Sequence, residues 1–167
     1  MSALQPFEIR PAVAADVPAI HALIGALADY EKLAPVFVAS PADIGNALFG
    51  PRPAAEVLIA SKNGEAAGFA LFFHNFSTFL GRRGLWLEDL FVQPAFRRQG
   101  CAKALLKALA ELAVARGCGR FEWAVLDWNA SAIAFYESLG AKVLPDWRIV
   151  RTVGPALAAL AAGTSDE

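Results

Sequence analysis

The run Leu87-Glu88-Asp89-Leu90-Phe91-Val92-Gln93-Pro94-Ala95-Phe96-Arg97-Arg98-Gln99-Gly100-Cys101-Ala102-Lys103 places an apolar stretch, a basic loop with a glycine and the start of a helical pattern in immediate succession. Backbone N–H groups at a helix N-terminus lack intrahelical partners and carry partial positive charge. A glycine loop there lets a pyrophosphate come close to the backbone. Arg97, Arg98 and Lys103 add charge at the same place. The same residue types also make an ordinary basic turn before a helix, and the R-x-x-G-x-A spacing alone does not separate the two readings. Farther on, Asn129 and Tyr136 stand seven positions apart, close to two helical turns, so both lie on nearly one face and can address one extended ligand.

These residues need elements to hold them. Phe7 to Arg10 reads as a short strand broken by Pro11, and Val17, Ile20, Leu23, Ile24 and Leu27 then recur at helical spacing behind Asp16 as the cap. A second helix is expected from about Ser40 to Phe49, ended by Gly50-Pro51-Arg52-Pro53. Glu56 to Ser61 and Ala66 to His74 are apolar stretches around Lys62-Asn63-Gly64-Glu65, whose Asn-Gly is a strong hairpin signal. Leu85 to Val92 follows as a third strand in series, entered through Gly81-Arg82-Arg83-Gly84. After Gly100 the period turns helical, with Leu105, Leu109 and Leu112 on one face until Gly117 and Gly119. Phe121 to Leu126 returns to strand character. A helix from about Ala130 to Leu139, a strand near Arg148 to Val153 and an alanine-rich helix from Pro155 to Ala162 complete the order. The fold class expected is α/β in the mixed α+β sense, with helices covering a mixed sheet.

A chain of 167 residues fits one domain, 1–167, with a core from about 7 to 153. Its 56% apolar and 19% charged residues, twelve Phe and four Trp exclude disorder. A net charge of -1 gives no general field for nucleic acid or a membrane surface, so an anionic ligand must be held by a local cluster. Cys101 and Cys118 have sixteen residues between them and no neighbouring His pair, which supports neither a metal site nor a redox motif. Glu8, Arg10 and Asp16 interrupt any apolar leader, and no apolar run reaches the length of a membrane span. A cytoplasmic, soluble protein without membrane or nucleic-acid partners is expected. His21 and His74 stand alone in sequence and read as structural; Cys101 reads as a small packed residue.

The phosphate-loop run, together with Trp128-Asn129-Ala130-Ser131-Ala132-Ile133-Ala134-Phe135-Tyr136-Glu137-Ser138-Leu139-Gly140-Ala141, resembles the GNAT superfamily of N-acetyltransferases. The likeness extends from Ile9 to about Trp147. It is strongest toward the spermidine/spermine and thialysine branch, on Asp29-Tyr30-Glu31-Lys32-Leu33, Ser77-Thr78-Phe79-Leu80-Gly81-Arg82, Leu87-Glu88-Asp89 and Ala124-Val125-Leu126-Asp127-Trp128-Asn129. The resemblance implies a mostly antiparallel sheet splayed open where pantetheine enters, flanked by helices, in a homodimer. It implies acetyl-CoA as co-substrate, held along Leu90, Phe91 and Val92, over Arg97, Arg98, Gln99, Gly100, Cys101, Ala102 and Lys103, and by Asn129, Ala132 and Tyr136. Tyr30, Glu31, Trp86, Glu88, Asp89 and Trp147 are the candidates for the acceptor side. Of these, Tyr30, Glu31, Trp86, Asp89 and Trp147 read equally well as helix-end polar groups or core aromatics.

An alkylammonium of pKa about 10.4 must lose its proton before it attacks a thioester, a cost of roughly 4 to 5 kcal/mol at pH 7. A carboxylate in the acceptor pocket can receive that proton, a role for Glu88, and a phenol can protonate the departing thiolate, a role for Tyr136. No metal and no covalent intermediate are required. Thr78 and Leu80 stand where the polyamine enzymes have acidic and aromatic residues, which points to a thialysine-like or other small amino acid or diamine acceptor rather than a long polycation. The alternatives are acetylation of polyamines, of a protein amine or of an antibiotic, and a non-catalytic acyl-CoA sensor.

Overall fold

A computed structural model describes residues 6–163. They form two compact units that meet in sequence between Ala124 and Val125. The first unit holds a five-stranded sheet in the order β1-β2-β3-β4-β5: β1 Glu8–Pro11, β2 Glu56–Lys62, β3 Glu65–Ser77, β4 Arg82–Val92 and β5 Phe121–Trp123. Neighbours are antiparallel through β4, and β5 joins parallel to β4, the mixed sheet expected from the order of elements. Asn63 and Gly64 both take left-handed φ, 53° and 79°, as the tight turn between β2 and β3 requires.

Helix α1, Val17–Tyr30, and helix α2, Pro41–Phe49, cover one face of the sheet. Ile20, Leu23, Leu27, Leu48, Val57, Ile59, Phe69 and Phe91 pack into a single buried cluster there. Strand alternation sends Val57 and Ile59 to this face. Leu58 and Phe72 line a cavity with Leu112 of helix α3, Cys101–Ala115, and Arg116 just past its end; the buried stripe of α3 is Cys101, Leu105, Leu106, Leu109 and Ala113. Ser40 caps α2 with a reciprocal bond pair to Asp43. Asp16 makes no side-chain cap for α1, contrary to expectation. Its carboxylate is drawn off to Arg10, in a two-pronged pair at 2.7 and 2.8 Å, and to the Val13 N–H at 2.7 Å. The Arg10 guanidinium holds its pKa below the ordinary carboxylate value.

The second unit holds helix α4, Ala130–Ser138, and helix α5, Gly154–Ala162. Two strand expectations are corrected. β5 ends at Trp123 rather than Leu126, because its pairing with β4 spans only Leu85↔Phe121 to Leu87↔Trp123. Residues 141–153 form neither helix nor strand, so the strand expected over Arg148–Val153 is absent. The β propensity of Ile149, Val150 and Val153 becomes a strand only where a partner edge supplies the hydrogen bonds, and all three side chains are exposed.

Candidate active site

The site in the first unit is built on the second half of β4. Leu71 of β3 pairs with Asp89, and the next residue, Phe72, pairs with Leu87, so the register skips Glu88. This bulge changes which side chains point to which face. Leu87 shares the face of Phe72, while beyond the bulge Asp89 and Phe91 share the opposite face with Leu71 and Phe69, the α1 side. Because β5 pairs only with Leu85 to Leu87, no strand of the described residues covers the outer edge of β4 from Glu88 to Val92. That half strand offers backbone donors and acceptors to an extended ligand.

The two adjacent carboxylates therefore meet different surroundings. Glu88 is exposed, and the Trp86 indole Nε1–H donates to its Oε2 at 2.9 Å. Asp89 is half-buried on the α1 side. Desolvation, reinforced by the negative charges of Glu88 and Glu31, pushes its pKa up to about 6. Glu31, just past the end of α1, is itself pushed up by burial. Three carboxyl groups thus share one region, and a bound cation would relieve their mutual repulsion. Nearby, the Arg97 guanidinium lies 4.9 Å from the Tyr30 ring centroid and 5.5 Å from that of Phe91, and its Nε donates to the Val92 carbonyl at 3.0 Å. Tyr30, Glu31, Trp86, Glu88, Asp89, Phe91 and Arg97 are thus linked around one stretch of β4, with Arg97 bracing the strand end and Tyr30 rather than standing apart as a bare cation.

Past β4, Gln93 fixes the exit: its N–H donates to the Ala67 carbonyl at 2.9 Å and its side-chain Nε2 to the Ala66 carbonyl at 2.6 Å. The loop then takes left-handed φ at Arg98, 58°, and at Gly100, 87°. Gly100 precedes α3 with no side-chain cap, and no heavy atom lies within 4 Å of where a Cβ on it would stand. An uncapped helix start, left-handed residues that turn successive N–H groups toward one side, and open space above the glycine suit a phosphate group. The side chains of Arg98 and Lys103 are exposed beside it. Cys101 contributes backbone only, since its side chain is buried and burial pushes its thiol up to about 11. Leu90, Val92, Gln99 and Ala102 are partly buried along this path.

In the second unit, Asn129 stands just before α4 and its Oδ1 accepts from the Ala132 N–H at 3.3 Å and the Ser131 hydroxyl at 3.2 Å. The amide oxygen thus shapes the helix start. Tyr136 lies two turns along α4, half-buried, its ring 5.5 Å from that of Phe135. Trp147 is exposed in the segment without regular structure. The two histidines take framework bonds: a ring nitrogen of His21 meets the Ala39 carbonyl at 2.9 Å, and His74 sits between the Gly84 carbonyl and Arg116.

Sequence reasoning passed over the bulge at Glu88, Gln93 and Lys62, whose Nζ donates to the loop residue Gln99. Two neighbouring acids inside an apolar strand were the available sign of the bulge, because strict alternation would have sent one of them into the core.

The chain matches the Acetyltransferase (GNAT) family over residues 27–141. It is 36% identical to an L-ornithine N5-acetyltransferase of Arabidopsis thaliana, over 91% of this chain and 86% of that one. It is also 36% identical to a thialysine N-epsilon-acetyltransferase of Sus scrofa, over 92% of this chain and 96% of that one. Among solved structures, an integron cassette protein from the mobile metagenome of V. cholerae superposes with a TM-score of 0.80 at 25% identity, covering 94% of this chain and 98% of that chain.

Proposed function

The chain is an N-acetyltransferase belonging to the GNAT family, and on that premise we propose that it moves the acetyl group of acetyl-CoA to a primary amine of an ornithine- or thialysine-like amino acid, by direct attack in a ternary complex. One observation carries this reading: the uncovered half strand Glu88–Val92 has an acidic cluster at one end and the open phosphate loop at the other. The thioester end of an extended donor laid along that edge comes to rest where an ammonium would be drawn.

In this reading Glu88 and Asp89 bind the ammonium and take its proton together. A base with a pKa near 6 stays ionised at neutral pH yet accepts a proton more readily than an ordinary aspartate. The neutral nitrogen attacks the acetyl carbonyl, which a β4 N–H near Phe91 polarises; as the C–S bond breaks the Tyr136 hydroxyl protonates the departing thiolate, and the second proton lost by the acylated nitrogen returns through water to the phenolate. Leu90 to Val92, the loop 97–103, Asn129 and Ala132 hold the donor; Tyr30, Glu31, Trp86 and Trp147 complete the acceptor side. The family match runs across the boundary between the two units, which supports one catalytic domain made of both, 1–167. We further propose a cytoplasmic homodimer. Exposed apolar side chains at the β3–β4 turn, Phe76, Phe79 and Leu80, supply surface that a second copy would bury.

Release of the CoA thiol across a panel of thialysine, ornithine, lysine, spermidine, an aminoglycoside and a lysine peptide tests the reading. Thialysine and ornithine should be turned over with the highest kcat/KM. Turnover confined to the peptide or the aminoglycoside would overturn the acceptor class, and CoA binding without turnover of any amine would favour the non-catalytic sensor.

A further inference from the structure

The phosphate loop is braced from the end of β2. Lys62 closes β2, and the hairpin register sets Glu65 opposite it, an ordinary cross-strand partner for a lysine. Its Nζ donates instead to Gln99 Oε1 at 2.7 Å, thirty-seven residues away, and lies 5.1 Å from the centroid of the Phe7 ring. Phe7 meets Phe96 edge to face at 6.4 Å, and Gln99 Nε2 donates to the Ala95 carbonyl at 2.9 Å. Both ends of the Gln99 amide are therefore held, one by Lys62 and one by the turn that leads into the loop. Gln99 stands between Arg98 and Gly100, the two left-handed residues. A non-glycine residue keeps a left-handed conformation only when its surroundings over-determine it. The Lys62 bond is charge-assisted and half-buried, and it acts on the next residue.

We propose that Lys62 is a positioning residue for the acetyl-CoA phosphate loop: through Gln99 it keeps Arg98 and Gly100 in the conformation that turns the loop N–H groups toward the ligand. This rests on the reading of residues 97–103 as the phosphate site. Lys62 acts through the loop and not by touching a phosphate, so its removal should weaken CoA and dephospho-CoA, which lacks the 3′-phosphate, by the same factor. Once the loop is saturated with donor, the chemical step has no need of it.

The test measures dissociation constants for CoA and dephospho-CoA by calorimetry, with kcat and both KM values, on the full chain. Lys62→Met should weaken both nucleotides by about 5- to 20-fold, the effect of one charge-assisted bond, and leave kcat and the acceptor KM unchanged. Lys62→Arg should restore most of the affinity. Gln99→Leu should weaken both nucleotides at least as much as Lys62→Met, and adding Lys62→Met to Gln99→Leu should cause no further loss of affinity. Wild-type affinity in Lys62→Met, additive losses in the double variant, or a loss on CoA that disappears with dephospho-CoA would each overturn the proposal. Gly100→Val separates the two levels. If it binds CoA as wild type does, the phosphate-site reading itself fails; if it loses CoA while Lys62→Met does not, only the role of Lys62 fails.

Discussion

Asp89 carries the most perturbed carboxylate described, and its sign can be followed into stability. The folded state holds its pKa at about 6 against an ordinary 3.8, so the fold favours the protonated form. Between these values the folded protein binds more protons than the unfolded chain, and stability falls as pH rises through that window. Asp89→Asn removes the penalty. It should stabilise the fold at pH 7 to 8 by on the order of 1–2 kcal/mol after allowance for solvent screening, read as a higher melting temperature, with no gain below about pH 4. A gain that persisted at pH 4 would locate its origin elsewhere than in this charge. Tyr136→Phe isolates the other proton. It should leave CoA affinity near wild type and lower kcat by about 10²- to 10⁴-fold under chemistry-limited conditions, and an unchanged rate would remove the phenol from the mechanism.

At the scale of elements, β4 depends on how closely β3 approaches it. A Cβ built on Gly68 would stand 2.4 Å from the Phe91 carbonyl oxygen, which is backbone and cannot swing away. Gly68→Ala should cost about 1–3 kcal/mol, read as a lowered denaturation midpoint, and should also weaken CoA, because Val92 lies opposite Gly68 and opens the path to the loop. The periodicity of α1 and α3, the Gly-Pro stop after α2 and the Asn-Gly turn were legible because local chemistry decides them. The bulge at Glu88, the early end of β5 and the Lys62–Gln99 bond were not, since each depends on a partner strand or loop remote in sequence. The strand expected at Arg148–Val153 failed for the same reason: apolar composition suggests a strand, but only an edge makes one. Asp16 looked like a cap, and a stronger ionic partner six residues earlier took it.

For the molecule as a whole, the claim is that one short uncovered strand brings a donor thioester and an acceptor ammonium together, with Glu88 and Asp89 sharing the amine proton. The glycine turn into α3 on the proposed donor side was legible in the sequence, because it is set by local chemistry at Gly100, whereas the different surroundings of two adjacent acids arise only from the bulge that turns Asp89 toward α1. The most direct measurement is kcat/KM for thialysine against pH, from 5 upward, in the wild type and in Glu88→Gln. The wild-type profile should fall on the acid side through about pH 6, where Asp89 titrates. Because the Glu88 charge is one cause of that raised value, Glu88→Gln should move the acid limb to lower pH while reducing the plateau by about 10²-fold. An acid limb and plateau identical in the two enzymes would contradict the shared proton and, with it, the assignment of this strand as the reacting centre.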